Sequence, residues 1–250
     1  MKPAESLAVN LGGVGIERAA RLGEDGVPAL CLAGEAVVRY PLRLPAKSDG
    51  TVAGIARRAI ELLIALAGVL ILAIALPVIA LAIRLDSPGP VLFRQRRVGS
   101  DGRRFTMFKL RTMQRDAEVR RDHVLDLNVM GRVTFKAVGD PRITRVGRLL
   151  RRFSLDEAPQ FWNVLRGEMA LVGPRPPLPG EVEGYGDHER RRLDVKPGIT
   201  GLWQVSGRST RPHDEMVALD LEYVERRSLR LDLAIILATI PAMLGGNGAY

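Results

Sequence analysis

Two adjacent carboxylates, Asp156 and Glu157, lie in a stretch that also carries Arg151, Arg152 and the run Gly173-Pro174-Arg175-Pro176. Guanidinium forks pair bidentately with phosphate oxygens, and a carboxylate can attack phosphorus or hold a divalent metal, so these residue types together suit chemistry on a phosphate. Ser154 with Glu157 three residues later also matches a capping box, in which the serine caps a helical amide and the glutamate reaches back. Capping accounts for Ser154 and Glu157 but not for Asp156, whose place in a first helical turn would set its carboxylate in the field that favours a bound phosphate. Both readings stay open on the residues alone. Neighbouring helical positions point about 100° apart, so the pair does not suit a glycosidase acid and base flanking one bond. One carboxylate can attack while the other positions a metal or a proton.

Other groups could contact the same anion. Arg175 stands between two prolines whose fixed φ angles aim its side chain, which suits a phosphate clamp or, more plainly, a rigid surface loop. Lys109, Arg111 and Thr112 form a second basic knot, and Ser206-Gly207-Arg208 follows Gly198-Ile199-Thr200-Gly201-Leu202-Trp203-Gln204. Trp203 reads as core before it reads as a ligand platform.

The elements that must position these residues are set by composition and pattern. The 250 residues, 46% hydrophobic, suffice for one real core with an appendage. A net charge of +9, with 32 arginines among 37 basic residues, points to a polyanionic partner: nucleic acid, anionic lipid or a phosphorylated small molecule. Codon bias is an equal explanation of the arginine excess, though not of the net charge. The lone Cys31 forbids an internal disulfide, and His123, His188 and His213 lack zinc spacing, which excludes structural zinc. No apolar segment follows Lys2, so no secretory signal peptide is expected.

Residues 1–52, rich in Gly, Pro, Ala and charge, read as a poorly ordered extension, with a small strand pair as the second reading. From Leu62 to Ile83 the chain runs 22 residues without a charge. As a helix that stretch reaches roughly 33 Å, enough for a bilayer's hydrocarbon core. Arginines crowd both ends, so charge asymmetry sets no orientation for a crossing. Pro77 lacks an amide hydrogen and should kink or break the helix. A hairpin that enters one leaflet and returns, or a kinked span, both fit.

Further on, Val91-Leu92-Phe93 and Phe105-Thr106-Met107-Phe108, around Ser100-Asp101-Gly102, read as a β-hairpin. A charged helix is expected from about Arg115 to Leu127. Leu231 to Leu244, apolar apart from Asp232 and interrupted by Pro241, reads as an interfacial helix.

Taken in order, the pieces resemble the bacterial sugar transferase family, the monotopic polyprenyl-phosphate phosphoglycosyl transferases, from about residue 55 to Tyr250. The matching stretches are Gly89-Pro90-Val91-Leu92-Phe93-Arg94-Gln95 with Arg97-Val98-Gly99, Lys109-Leu110-Arg111-Thr112-Met113, Asp140-Pro141-Arg142-Ile143-Thr144, Ser154-Leu155-Asp156-Glu157-Ala158-Pro159-Gln160, Val172-Gly173-Pro174-Arg175-Pro176 and Lys196-Pro197-Gly198-Ile199-Thr200-Gly201. The ending Gly248-Ala249-Tyr250 resembles short members that initiate exopolysaccharide assembly.

The resemblance implies an α+β, mainly α, fold. Residues 1–52 form the extension, 53–85 a re-entrant membrane helix-break-helix with the break at Pro77, and 86–250 a cytoplasmic catalytic domain with a small β-hairpin and interfacial amphipathic helices, the last at the C-terminus. It implies that Asp156 attacks the sugar-linked phosphorus of a nucleotide diphosphate sugar, expected to be a UDP-hexose. The resulting aspartyl ester passes its phosphosugar to undecaprenyl phosphate, and UMP is released. Glu157 assists, Mg²⁺ at Asp156 neutralises diphosphate charge, and Arg151, Arg175 and Arg208, with Lys109 and Arg111, bind phosphate. The partners are then UDP-sugar, undecaprenyl phosphate and membrane lipid rather than nucleic acid, with a homo-oligomer compatible, at the cytoplasmic face of the inner membrane. Leu76-Pro77 departs from the family's usual Ser-Pro, Leu110 replaces a common phenylalanine and Ala170 a common serine. Residues 1–52 have no counterpart. Two other readings remain: a noncatalytic, membrane-tethered basic module binding anionic lipid or nucleic acid, and hydrolysis of the same ester to free sugar phosphate.

Overall fold

The computed structural model describes residues 21–22, 28–29, 51–117, 119–120, 140–207 and 213–244. The chain divides into two compact units, Met1–Arg43 and Leu44–Tyr250. In the first, β1 (Arg21–Leu22) pairs antiparallel with β2 (Pro28–Ala29), the small strand pair that was the second reading of this region.

The second unit begins with α1, Thr51–Asp86, 36 residues long. It is the one helix among the described residues long and apolar enough to cross a membrane, and Leu63, Ile71, Ile74 and Val78 along it are exposed. Apolar side chains left uncovered by protein call for an apolar surrounding. Pro77 lies inside this helix, which continues to Asp86, so the helix is not interrupted there.

The hairpin follows as read, with longer arms. Strand β3 (Leu92–Val98) pairs with β4 (Arg104–Leu110) in a register running from Leu92↔Leu110 to Val98↔Arg104. The turn uses left-handed Asp101 and Gly102, a conformation Asp and Gly tolerate. Phe105 and Met107, two apart on β4, both turn into the core. The helix expected from Arg115 is absent from its first residues: 115–117 and 119–120 form turns, and the rest lies outside the described residues. The Ala117 carbonyl, which a continuing helix would need, accepts instead from Arg142 Nη1 at 2.8 Å.

The remaining elements are short: α2 (Arg145–Arg152), α3 (Gln160–Leu165), β5 (Ala170–Val172), α4 (Pro179–Glu183), α5 (Asp187–Arg190), β6 (Gly198–Thr200) and α6 (Leu202–Val205), before the longer α7 (His213–Arg226) and α8 (Leu229–Leu244). The described fold is mostly helical with small sheets, as expected. Parallel pairing of β5 with β6, Ala170↔Gly198 and Val172↔Thr200, was not foreseen. The main core gathers Ala65 of α1, Phe105 and Met107 of β4, Val164 of α3, Leu171 and Val172 of β5, and Tyr223, Leu231 and Ile235 of α7 and α8. A second cluster joins Ile83 to Leu110 and Leu150.

Both ends of α1 are therefore fastened to the same unit. At its start Arg57 pairs with Asp232 of α8 at 2.7 Å, and Arg58 Nη2 donates to the Val164 carbonyl at 2.9 Å. At its finish the Asp86 carboxylate accepts from the Val146 amide at 2.7 Å, supplying the acid that the first turn of α2 lacks. Arg111 donates there to the carbonyls of Ile83, Ser87 and Pro88. The Ile83 carbonyl also accepts from the Ser87 amide at 3.1 Å, and Ser87 and Pro88 lie just past the last helical residue, so this fork fastens the turn that follows α1.

Candidate functional site

Helix α2 carries Arg151 to the site. Thr144 caps it through a 3.0 Å bond from the Gly147 amide, and its last turn holds Arg151 and Arg152. Ser154 then takes a left-handed conformation (φ 55°, ψ 21°), and Leu155–Glu157 form one tight 3₁₀ turn before α3. This corrects the capping box. An N-cap residue needs extended φ/ψ for its oxygen to reach the next amides, and the left-handed Ser154 makes no side-chain cap. A non-glycine residue there costs on the order of 1–2 kcal/mol. That strain sits two residues from Asp156.

Asp156 is buried, with 8% of its surface exposed. Burial raises its carboxyl pKa to about 6; Lys109 opposes this most strongly, Glu157 adds to it and Arg151 lowers it. Glu157 accepts from Lys109 Nζ of β4 at 2.7 Å. Arg151 Nε donates to Thr112 Oγ1 at 2.9 Å, so the residue after Arg111 orients a guanidinium beside the dyad. The arrangement is one buried carboxylate, its pKa raised by burial, with the charges of Lys109 and Arg151 favouring its ionised form. Such a group can attack an electrophilic centre whose charge those cations offset.

Arg175 occupies a loop between β5 and α4. The loop packs on β6 at glycine contact: a Cβ at Gly173 would fall 2.4 Å from the Lys196 carbonyl, and one at Gly198 2.1 Å from the Gly173 amide. Only Gly allows this backbone approach, which explains why two distant motifs each need it. Its guanidinium lies 3.6 Å from Glu181. Arg97 Nη1 donates to the Pro176 carbonyl of this loop at 2.8 Å.

The Arg111 guanidinium is buried and donates to the carbonyls of Ile83, Ser87 and Pro88 at and just past the end of α1. Arg208 lies outside the described residues. Asp140 and Arg142 of the Asp-Pro-Arg stretch pair with each other, through Nε at 2.9 Å and Nη2 at 2.7 Å, and fasten a turn. Sequence reasoning missed fully buried Asn163, which donates to the Thr106 carbonyl at 2.8 Å and to Glu168 at 2.6 Å and so joins α3 to β4. It also missed Arg192, Asp220 and Tyr185. A polar residue spaced among apolar helix positions, as Asp220 is, was the available signal.

Among the described residues no three His, Cys, Asp or Glu side chains gather as a metal cluster. Asp156 and Glu157 are the adjacent carboxylates at the site.

Residues 52–246 match the family model described as "Bacterial sugar transferase". The chain is 46% identical over 196 residues to "Galactosyl transferase CpsE" of Streptococcus agalactiae, covering 78% of this chain and 43% of that protein. It is 37% identical over 203 residues to "Exopolysaccharide production protein ExoY" of Rhizobium meliloti, covering 80% and 90%. It is 43% identical over 166 residues to "Undecaprenyl-phosphate galactose phosphotransferase" of Salmonella typhimurium, covering 65% and 35%. The chain thus spans less than half the length of the first and third of these relatives and most of the second.

Proposed function

The chain belongs to the bacterial sugar transferase family, and on that premise we propose that it is a phosphoglycosyl transferase moving hexose 1-phosphate from a UDP-hexose to undecaprenyl phosphate. An Asp156 oxygen attacks the sugar-linked phosphorus; the bond to the bridging oxygen breaks and UMP leaves with the electron pair. A phosphate oxygen of the lipid then attacks the same phosphorus, forms the lipid diphosphosugar and returns the carboxylate. The observation that carries this is the buried Asp156 carboxylate beside a Glu157 that Lys109 Nζ meets at 2.7 Å, with Arg151 held by Thr112 at the end of α2; the charges of Lys109 and Arg151 both favour the ionised form of Asp156. Arg151 and Lys109 offset phosphate charge as it shifts to the leaving group, and Arg175, carried on its own loop, binds the diphosphate from another direction. Glu157 stays paired with Lys109 and orients it. The names of relatives support the acceptor class and a role in exopolysaccharide production.

The donor set fits Mg²⁺. That ion is held by one or two carboxylates with substrate phosphates completing its shell, so no three-carboxylate cluster is required. Asp156, with Glu157 beside it, would hold it, and it would supply charge neutralisation to the diphosphate.

A lipid phosphate reaches only a site at headgroup depth. Leu149, Leu155 and Trp162 are exposed around the dyad, and α1 exposes its apolar length, which supports a membrane-bound enzyme. The fastening of both α1 ends to one unit supports the re-entrant arrangement, because a crossing would put those ends on opposite faces. The domain then lies at the cytoplasmic face of the inner membrane, where UDP-sugars are.

Purified protein given UDP-galactose or UDP-glucose, Mg²⁺ and undecaprenyl phosphate should release UMP, and Asp156→Asn should abolish it. Turnover by that variant near the parent rate overturns the assigned nucleophile.

A further inference from the structure

The four residues Pro174, Arg175, Pro176 and Pro177 contain a single backbone N–H, that of Arg175, because proline has none. A segment with so few donors must be held by donors from elsewhere. Each of its carbonyls is so held: Pro174 by the Gly198 amide at 3.0 Å and Pro177 by the Val98 amide at 3.0 Å, while Pro176 accepts from Arg97 Nη1 at 2.8 Å and Arg175 from Arg192 Nη2 at 3.4 Å.

Arg192 is itself fixed. Its Nε and Nη2 donate to Asp220 Oδ2 at 3.0 and 2.6 Å, and Nη1 donates to the Tyr185 hydroxyl at 2.7 Å. Arg192 is 3% exposed and Asp220 is wholly buried. Asp220 Oδ1, buried with the rest of its side chain, makes no hydrogen bond. The Arg175 carbonyl thus faces this buried ion pair through Arg192, while the Arg175 side chain stays partly exposed against Glu181 at 3.6 Å, longer than a charge-assisted hydrogen bond. The backbone is fixed and the guanidinium remains available to an anion.

We propose that the buried Arg192–Asp220 pair, braced by Tyr185, is a positioning device that sets the Arg175 guanidinium on the donor's diphosphate. Buried pairs contribute little net stability against apolar replacements, so a geometric role is a physical reason for this one. The inference rests on the transferase reading and deepens it: Asp220, Arg192 and Tyr185 act through Arg175 and touch no substrate.

The test is a double-mutant cycle on the full chain in lipid nanodiscs, reading kcat/KM for UDP-galactose or UDP-glucose by UMP release. Asp220→Asn keeps the shape and removes the charge; it should lower kcat/KM by about 10- to 100-fold, the scale of a misplaced binding group. In an Arg175→Ala background the same change should cost under about 3-fold, since no guanidinium is left to position. Tyr185→Phe, which leaves the ion pair whole, should show a smaller loss with the same disappearance, and it serves if Asp220→Asn does not fold. Losses that multiply in the double variants mean a general structural role and overturn the proposal while the transferase reading stands. An Arg175→Ala variant as active as the parent also overturns it. A parent that releases no UMP overturns the transferase reading itself.

Discussion

Lys109 Nζ lies 2.7 Å from Glu157 Oε1, and its charge is the strongest influence holding down the pKa of Asp156 next door. One strand cation thus neutralises the dyad's second carboxylate and favours the ionised form of the first. Lys109→Met removes both effects. The Asp156 pKa should rise above about 6, and the acid limb of the UMP-release profile should move up by about one unit, with lower turnover at neutral pH. A profile measured from pH 5 to 9 with an unmoved limb would show that Lys109 does not govern the nucleophile.

The raised Asp156 pKa also bears on stability. The folded protein holds this proton more tightly than the unfolded chain, whose carboxyl sits near 3.8, so stability falls as pH rises from about 4 to about 6 and the penalty persists above. Asp156→Asn cannot ionise. Without metal, in chelator, it should melt higher than the parent at pH 8, and the difference should vanish below about pH 4. Equal melting temperatures at pH 8 would contradict the burial cost assigned to this carboxylate.

Arg111 should matter for anchoring rather than for phosphate. Arg111→Ala removes this donor from the Ser87 and Pro88 carbonyls just past α1 and should cost roughly 2–4 kcal/mol in thermal or chemical unfolding. Arg111→Lys should recover little, because one ammonium lacks the fork that reaches several acceptors. Full stability with lost UMP release would return Arg111 to the substrate.

Where a local pattern settles structure, the sequence was readable. The alternation of Phe105 and Met107 across from Leu92 to Val98, with Asp101-Gly102 between, specified the hairpin. Ser154 misled because Ser-x-x-Glu is the same string whether serine caps a helix or, as here, follows one in a left-handed turn. Guanidinium chemistry is the same towards a phosphate and towards main-chain carbonyls, so the anchoring of Arg111 to the turn after α1 was not legible. The Arg192–Asp220 pair, 28 residues apart, and the three-residue strands β5 and β6 have no period to announce them. Their partners are set by the tertiary fold alone.

The attachment of α1 makes the membrane arrangement testable without any assay of turnover. Arg57 with Asp232 at one end, and Asp86 with the Val146 amide at the other, bind the helix termini to a single folded unit. A crossing would require one of these junctions to separate, leaving a charged group without the partner it has here. In a Cys31→Ser background, single cysteines at Val52 and Leu85, which are 81% and 78% exposed, should both react with an impermeant thiol reagent added from the cytoplasmic side and neither from the other. Labelling from opposite sides would mean that α1 crosses the bilayer. Arg57→Ala with Asp86→Ala should loosen both junctions and increase proteolysis near residues 51–57 while leaving the protein in the membrane fraction, because the apolar face of α1 is unchanged.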